Sequence, residues 1–206
     1  AVYALAVQHD LLVLEDDPYG ELYFGEKPPA PLAALSDRVI RLSSASKVLA
    51  PALRVGWLHG DRKVCEAVEL IKQGADLCGS SLTQQIAADL FSDVEWFDAH
   101  LDVLRAGYGA RAKALVTAAE TELSGRARFS EVRGGMFCWM DFLDDVDTTE
   151  LLGAALAHGV AFVPGSAFAV EADLGRSARL CFATYPEAVL VDAVGRLRDS
   201  VTAGTA

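Results

Sequence analysis

The stretch Leu11-Leu12-Val13-Leu14-Glu15-Asp16-Asp17-Pro18-Tyr19-Gly20 decides the fold class. Four consecutive apolar residues end abruptly in three acids. A short apolar run of this kind reads as a strand buried on both faces, as in a parallel sheet, with the acids at its carboxyl end. Pro18 and Gly20 then turn the chain out of the sheet. Working outward, Val39-Ile40-Arg41-Leu42 predicts a second short strand and Arg54 to His59 a third. Helices are predicted at about 62–74 and 82–91, and a helix from Ala1 to His9 precedes the first strand. Strands alternating with helices indicate an α/β architecture.

Farther along, Val94, Phe97, Leu101, Leu104, Tyr108, Ala112, Leu115 and Ala119 recur at steps of three and four. They predict one amphipathic helix over about 93–123, roughly 45 Å long at about 1.5 Å per residue and able to join two domains. Strands are expected near 127–132, 136–142, 160–163 and 178–183. A helix opens at Asp147 with Glu150 three residues on and closes before Gly159. A last helix starts at Pro186, with Leu190, Val194, Leu197 and Val201 along one face. A parallel strand placed directly after an opening helix has no neighbours upstream, so a further N-terminal portion is expected.

Composition narrows the function classes. The chain has 206 residues, 52% hydrophobic and 23% charged, which fits a folded globular protein. Its net charge of −11 repels phosphate backbones, so neither nucleic acid nor an anionic membrane is an expected partner. No apolar run is long enough to span a bilayer, and the first ten residues lack the basic start of a signal peptide. Cys65, Cys78, Cys138 and Cys181 are scattered and have no zinc-ligand spacing. They read as small apolar residues in a reducing cytoplasm, and no metal is expected.

Four features carry chemistry. The acids Glu15, Asp16 and Asp17 close a strand, where ligands of open α/β sheets bind. Lys47 follows Ser43, Ser44 and Ser46, and hydroxyls beside an amine suit phosphate binding next to Schiff-base chemistry when burial lowers the lysine pKa. Arg54 enters the apolar Val55-Gly56-Trp57 run, and an arginine there needs an anion. Arg179 lies inside Ala178-Arg179-Leu180-Cys181-Phe182, and its planar fork suits a carboxylate. Taken singly, each has an ordinary reading: a solvated acidic turn, a Ser-rich loop with an exposed lysine, or an internal salt bridge.

Together the motifs resemble the fold-type-I pyridoxal-phosphate (PLP) enzymes, class I/II aminotransferases, closest to the branch with 2-aminoadipate and kynurenine aminotransferases. The resemblance rests on Glu15-Asp16-Asp17-Pro18-Tyr19-Gly20-Glu21-Leu22 and on the run from Ser44 through Lys47 and Arg54 to Trp57. Gly134-Gly135-Met136-Phe137, Val163-Pro164-Gly165-Ser166-Ala167-Phe168 and residues 178–182 continue it in order. It implies an α/β fold. Residues 1–100 would be the C-terminal part of the PLP-binding large domain, with a mixed, mainly parallel sheet. Residues 101–206 would be a small α+β domain, and the long helix would join the two. It implies transamination between an amino acid and a 2-oxo acid through a Schiff base on Lys47, in a cytoplasmic homodimer.

The resemblance also implies roles. Asp16 bonds the cofactor's ring nitrogen and Tyr19 its phenolic oxygen. Ser44, Ser46 and Arg54 hold the phosphate, and Arg179 binds the substrate carboxylate. The family's Asp-x-x-Tyr spacing selects Asp16 over Asp17. Family members are about twice this length, and their glycine-containing phosphate loop, ring-stacking aromatic and Asn-Pro segment have no counterpart here, so the chain resembles a C-terminal half whose activity alone is in question. Two other functions share these motifs: the aminotransferase-like effector domain of GntR-type transcription regulators, and a PLP-dependent C–S lyase. The regulators usually read Glu-Asp-Asp-Tyr-Asp, whereas Pro18 precedes Tyr19 here, which favours an enzyme.

Overall fold

The computed structural model describes residues 1–204. The chain divides into two compact units, Ala1–Leu104 and Arg105–Ala206.

In the first unit, helix α1 (Val2–Gln8) leads into strand β1 (Val13–Asp16), which pairs in parallel with β2 (Val39–Ser44). β2 in turn pairs with β3 (Gly56–His59), and this pairing is antiparallel. The expected mainly parallel sheet is therefore one parallel and one antiparallel pair. The chain between β2 and β3 turns back within a single-turn helix α2 (Ala45–Val48) and a 3-10 turn (Pro51–Leu53), too short for the crossover a parallel return needs. Helices α3 (Arg62–Ala75) and α4 (Ser81–Ser92) follow, each opened by a side-chain cap, Asp61 and Ser80 respectively. The centre of this core is β2, where Val39 and Ile40 are buried, together with Leu22, Ala45 and Val48.

The first strand corrects the reading of a run buried on both faces. β1 starts at Val13 rather than Leu11, and Leu14 is 65% exposed, with Leu11 and Leu12 also exposed. β1 stands at the sheet edge, where β2 is its only strand neighbour among the described residues.

Helix α5 (Val94–Glu122) begins in the first unit and continues into the second. The second unit is built on an antiparallel sheet in the order β4-β5-β7-β6, with β4 Ala127–Phe129, β5 Phe137–Phe142, β6 Val163–Pro164 and β7 Ser177–Cys181. Period-two alternation sorts the faces. Cys138, Met140 and Phe142 of β5 and Ala178 and Leu180 of β7 are buried, as are Leu115 and Ala119 of α5. Helix α6 (Thr148–Ala157) is capped by Asp147, whose carboxylate accepts the Thr149 and Glu150 N–H groups. Helix α7 (Glu187–Gly204) buries Leu190, Val194, Leu197 and Val201, the stripe read from the sequence. Among the described residues no helix is long and apolar enough to cross a membrane.

Candidate active site

Strand direction gathers the first unit's chemistry at one edge. The parallel register places Asp16 beside Leu42, so the carboxyl ends of β1 and β2 lie together. The antiparallel register pairs Ser44 with Gly56, which brings the start of β3 to the same edge. Asp16, Tyr19, Ser44, Ser46, Lys47 and Arg54 all belong to this edge. Ser43 fastens it, its hydroxyl donating to the Asp17 carbonyl at 3.0 Å.

The three acids have different partners. Glu15 accepts the N–H groups of Leu32 (2.8 Å) and Ala33 (3.1 Å), capping the 3-10 turn Leu32–Ala34. Asp17 forms an ion pair with Arg41 at 2.7 Å. Gly20 makes room for this arrangement, since a Cβ there would strike the Asp17 carboxylate. Asp16, exposed at the strand end, makes no side-chain hydrogen bond or ion pair among the described residues. Two acids are thus used by the fold and the third is available to a ligand.

Lys47 lies in α2, a single turn held at both ends. The Ser44 hydroxyl accepts the Ser46 N–H at 3.1 Å and donates to the Val55 carbonyl at 3.2 Å. At the other end, the His100 Nε2–H donates to the Val48 carbonyl at 2.8 Å, and Trp96 stacks on the His100 ring. The Lys47 ammonium sits 5.6 Å from the centroid of the Tyr19 ring, so these two expected site residues are brought together. Lys47 is half-buried rather than enclosed.

Two further expectations meet a different geometry. Arg54 is exposed and outside β3. It adopts a left-handed conformation, φ 55° and ψ 34°, at the end of the 3-10 turn, and donates to the Pro51 carbonyl at 3.3 Å. Its charge therefore faces outward from a turn instead of entering an apolar strand, and no carboxylate pairs with it among the described residues. Ser44 has only one proton to donate, and Val55 receives it. A phosphate oxygen would obtain it only by displacing that carbonyl. Ser46 keeps its hydroxyl free of hydrogen bonds among the described residues.

In the second unit Arg179 lies on β7, opposite Trp139 of β5 and Val163 of β6. Its guanidinium carbon lies 4.1 Å from the Phe137 ring centroid and 4.8 Å from that of Phe168. Its Nε is buried without a hydrogen-bond partner among the described residues. Phe168 ends the 3-10 turn Gly165–Phe168, which packs closely on β7. A Cβ on Gly165 would collide with the Leu174 and Ser177 carbonyls. Next to this group, Asp141 accepts hydrogen bonds from Ser177 Oγ (2.7 Å), Trp139 Nε1 (2.9 Å) and Arg128 Nε (3.2 Å). Burial, the largest single influence, raises its pKa, but the three donors together outweigh it and hold the carboxyl below its ordinary value.

Sequence reading assigned no role to Trp139, Asp141 or Ser177. The signal was available in the alternation of β5 and β7, which places 137, 139 and 141 on the face of 177, 179 and 181.

Comparison with known proteins decides the family. Residues 1–197 match the model of the family described as aminotransferase class I and II. The chain belongs to that family. It is 34% identical over 199 residues to aromatic-amino-acid aminotransferase 1 of Thermococcus litoralis, covering 96% of this chain and 48% of that protein. It is also 33% identical to an uncharacterized HTH-type transcriptional regulator of Bacillus subtilis, over 88% of this chain and 38% of the regulator. Among solved structures it resembles an alpha-aminoadipate aminotransferase from Thermus thermophilus, complexed with N-(5'-phosphopyridoxyl)-L-leucine. There the TM-score is 0.92 at 32% identity, covering 98% of this chain and 53% of that one. The chain thus spans about half the length of the aminotransferases it matches.

Proposed function

We propose that this chain provides the cofactor-attaching lysine and the substrate-carboxylate arginine of a PLP-dependent aminotransferase, which exchanges an amino group between an amino acid and a 2-oxo acid. The observation that carries the reading is the convergence of Lys47, Tyr19 and the unpaired Asp16 carboxylate at one sheet edge. The donor set fits the cofactor. Asp16 has no side-chain partner among the described residues and is suited to a pyridinium nitrogen. Among the described residues Arg54 is a cation without a carboxylate, suited to a phosphate, and the Ser46 hydroxyl is unengaged.

PLP, when bound, supplies an electron-withdrawing ring that stabilises negative charge at the substrate Cα. The chain's residues do the rest. Asp16 holds a proton at the ring nitrogen. Lys47 would hold the cofactor through its side-chain amine and, once the substrate's amino group displaced it, that freed amine would move a proton at the substrate Cα. Tyr19 bonds the phenolic oxygen. Arg54 and Ser46 hold the phosphate, while Ser44 keeps α2 oriented and reaches the phosphate only on releasing Val55. Arg179 receives the substrate carboxylate with the fork geometry of its guanidinium.

Residues 1–100 fit the role of part of the PLP-binding large domain and 101–206 that of the small domain. The exposure of Asp16, Arg54 and Leu14 supports a site completed by further polypeptide; a homodimer in the cytoplasm is the assembly we propose. The present chain by itself is then expected to lose PLP on dialysis, and stoichiometric retention would overturn that dependence.

The decisive experiment loads the full-length protein with PLP, reduces it with borohydride and maps the labelled peptide. The label is expected on Lys47 and is expected to vanish in Lys47→Ala. Labelling at Lys27, Lys63, Lys72 or Lys113 instead overturns the assignment. The similarity to a transcription regulator supports a second reading, an effector-sensing domain. Conversion of the bound cofactor to its pyridoxamine form by an amino acid favours the enzyme, binding without conversion favours the sensor, and release of a thiol with ammonia marks a C–S lyase.

A further inference from the structure

We infer that Trp139 and Asp141 form a positioning pair for Arg179, acting through Phe168, and that they thereby set the affinity for the substrate carboxylate. The inference rests on the reading of Arg179 as the carboxylate clamp.

Arg179 is held in an unusual way. An arginine in a sheet is ordinarily fixed by a carboxylate, whose two oxygens define the plane of the guanidinium. Here two aromatic rings flank the guanidinium, Phe137 at 4.1 Å and Phe168 at 4.8 Å, and its buried Nε makes no hydrogen bond among the described residues. Cation–π attraction is broad in angle, so the direction of the fork follows wherever the rings are placed. Phe137 is set by its own strand. Phe168 stands on a short 3-10 turn and is 41% exposed, so its ring needs another restraint.

Trp139 supplies that restraint. Its indole meets the Phe168 ring edge-on, with centroids 5.6 Å apart and planes at 70°. The indole is itself anchored by its Nε1–H bond to Asp141 at 2.9 Å, and Asp141 is anchored by Ser177 and Arg128. The order of support runs from Ser177 and Arg128 to Asp141, then Trp139, Phe168 and Arg179.

The same bonds keep Asp141 away from Arg179. Asp141 faces Ser177 across the strand pair and is the diagonal neighbour of Arg179. Diagonal neighbours are about 7–8 Å apart, within reach of a long side chain. With donors on both of its oxygens, Asp141 is drawn off, and the guanidinium is left for a carboxylate from outside.

The test uses the full-length, PLP-loaded protein with three variants. Trp139→Phe keeps a ring but removes the N–H donor, Asp141→Asn keeps the shape but removes the charge, and Arg179→Ala removes the clamp. The two positioning variants are expected to raise the amino-acid KM about tenfold, with kcat changing far less, and Arg179→Ala to raise KM on the order of a hundredfold. In the present chain, the Arg179 Nε–H resonance is expected to exchange with water faster in Trp139→Phe than in the parent. If Arg179→Ala raises KM while Trp139→Phe and Asp141→Asn leave both KM and the Nε–H resonance unchanged, the positioning role is wrong and the clamp stands. If Arg179→Ala leaves KM unchanged, the clamp reading itself is wrong. If the positioning variants lower only thermal stability, the pair is a strand cross-link and the inference is overturned.

Discussion

In the unit Arg105–Ala206, Met140 and Phe182 are fully buried and Leu197 nearly so, whereas in Ala1–Leu104 the residues Leu70, Ile71 and Leu77 are at least 70% exposed. The contrast is general. Among the described residues, the second unit buries more than twice as many core hydrophobics as the first, and the first exposes more than twice as many large ones. Burial stabilises by about 25 cal/mol per Å² of apolar surface, so the second unit holds most of the chain's own stability. The first unit carries Lys47 and Asp16 on a small core, with an apolar surface suited to burial against further polypeptide. The proposed cofactor residues and the larger buried core thus lie in different units.

The sharpest way to break this comparison is a cavity in the second core. Phe182→Ala is expected to cost about 3–5 kcal/mol in urea unfolding, because Phe182 is 0% exposed. A cost under about 1 kcal/mol would mean that the second unit is not the stable one.

Thiol labelling compares the units directly. Burial pushes the Cys138 thiol up to about 11, so at pH 8 only about one molecule in a thousand is thiolate. Exposed Cys78 is expected to react about a hundredfold faster or more. As urea rises, Cys65 of the first unit is expected to become reactive before Cys138 of the second. The reverse order would invert the ranking of the units.

Asp141 gives an intermediate effect. Asp141→Ala leaves the Ser177 and Trp139 donors without their acceptor, and about 1–3 kcal/mol is expected to be lost at pH 7. Its carboxyl is held below its ordinary value, so the unfolded chain binds more protons than the folded one. The contribution is complete above the unfolded pKa of about 3.9 and is lost as pH falls through the lower folded value. Stability curves of parent and variant are therefore expected to draw closer as pH falls below about 4. Curves that stay parallel down to pH 2 would show that the charge contributes nothing.

The smallest effect belongs to the first unit's surface. Leu14→Ser is expected to change the stability of this chain by less than about 0.5 kcal/mol, since Leu14 is 65% exposed. A loss of 2 kcal/mol or more in a melting experiment would show that β1 is covered after all.

Much of this molecule was legible because its signals are local. Helices α3 to α7 follow from three- and four-residue periodicity, from Asp147 as a cap and from Pro186 as a start; α3 to α6 lie within one or two residues of their expected bounds, and α7 begins within one residue of its expected start. A helix satisfies its hydrogen bonds from its own sequence, so the sequence carries its limits. The site motifs were legible for a related reason. Asp16 ends β1, and Tyr19 and Lys47 follow three residues after the ends of β1 and β2, strands that the apolar runs announce.

The tertiary structure alone decided which of these groups are available. Nothing near Asp17 in sequence shows that Arg41, twenty-four residues on, takes its carboxylate, or that Glu15 caps a turn at Leu32. Arg54 looks like a strand residue until the chain bends at Pro51 and leaves it in a left-handed turn. Trp139, Asp141 and Arg179 became one group only when β5 and β7 were paired in register. Strand pairing, edge position and ion-pair choice depend on residues far apart in the chain, and a period of two or of 3.6 carries no information about which strand comes to lie alongside.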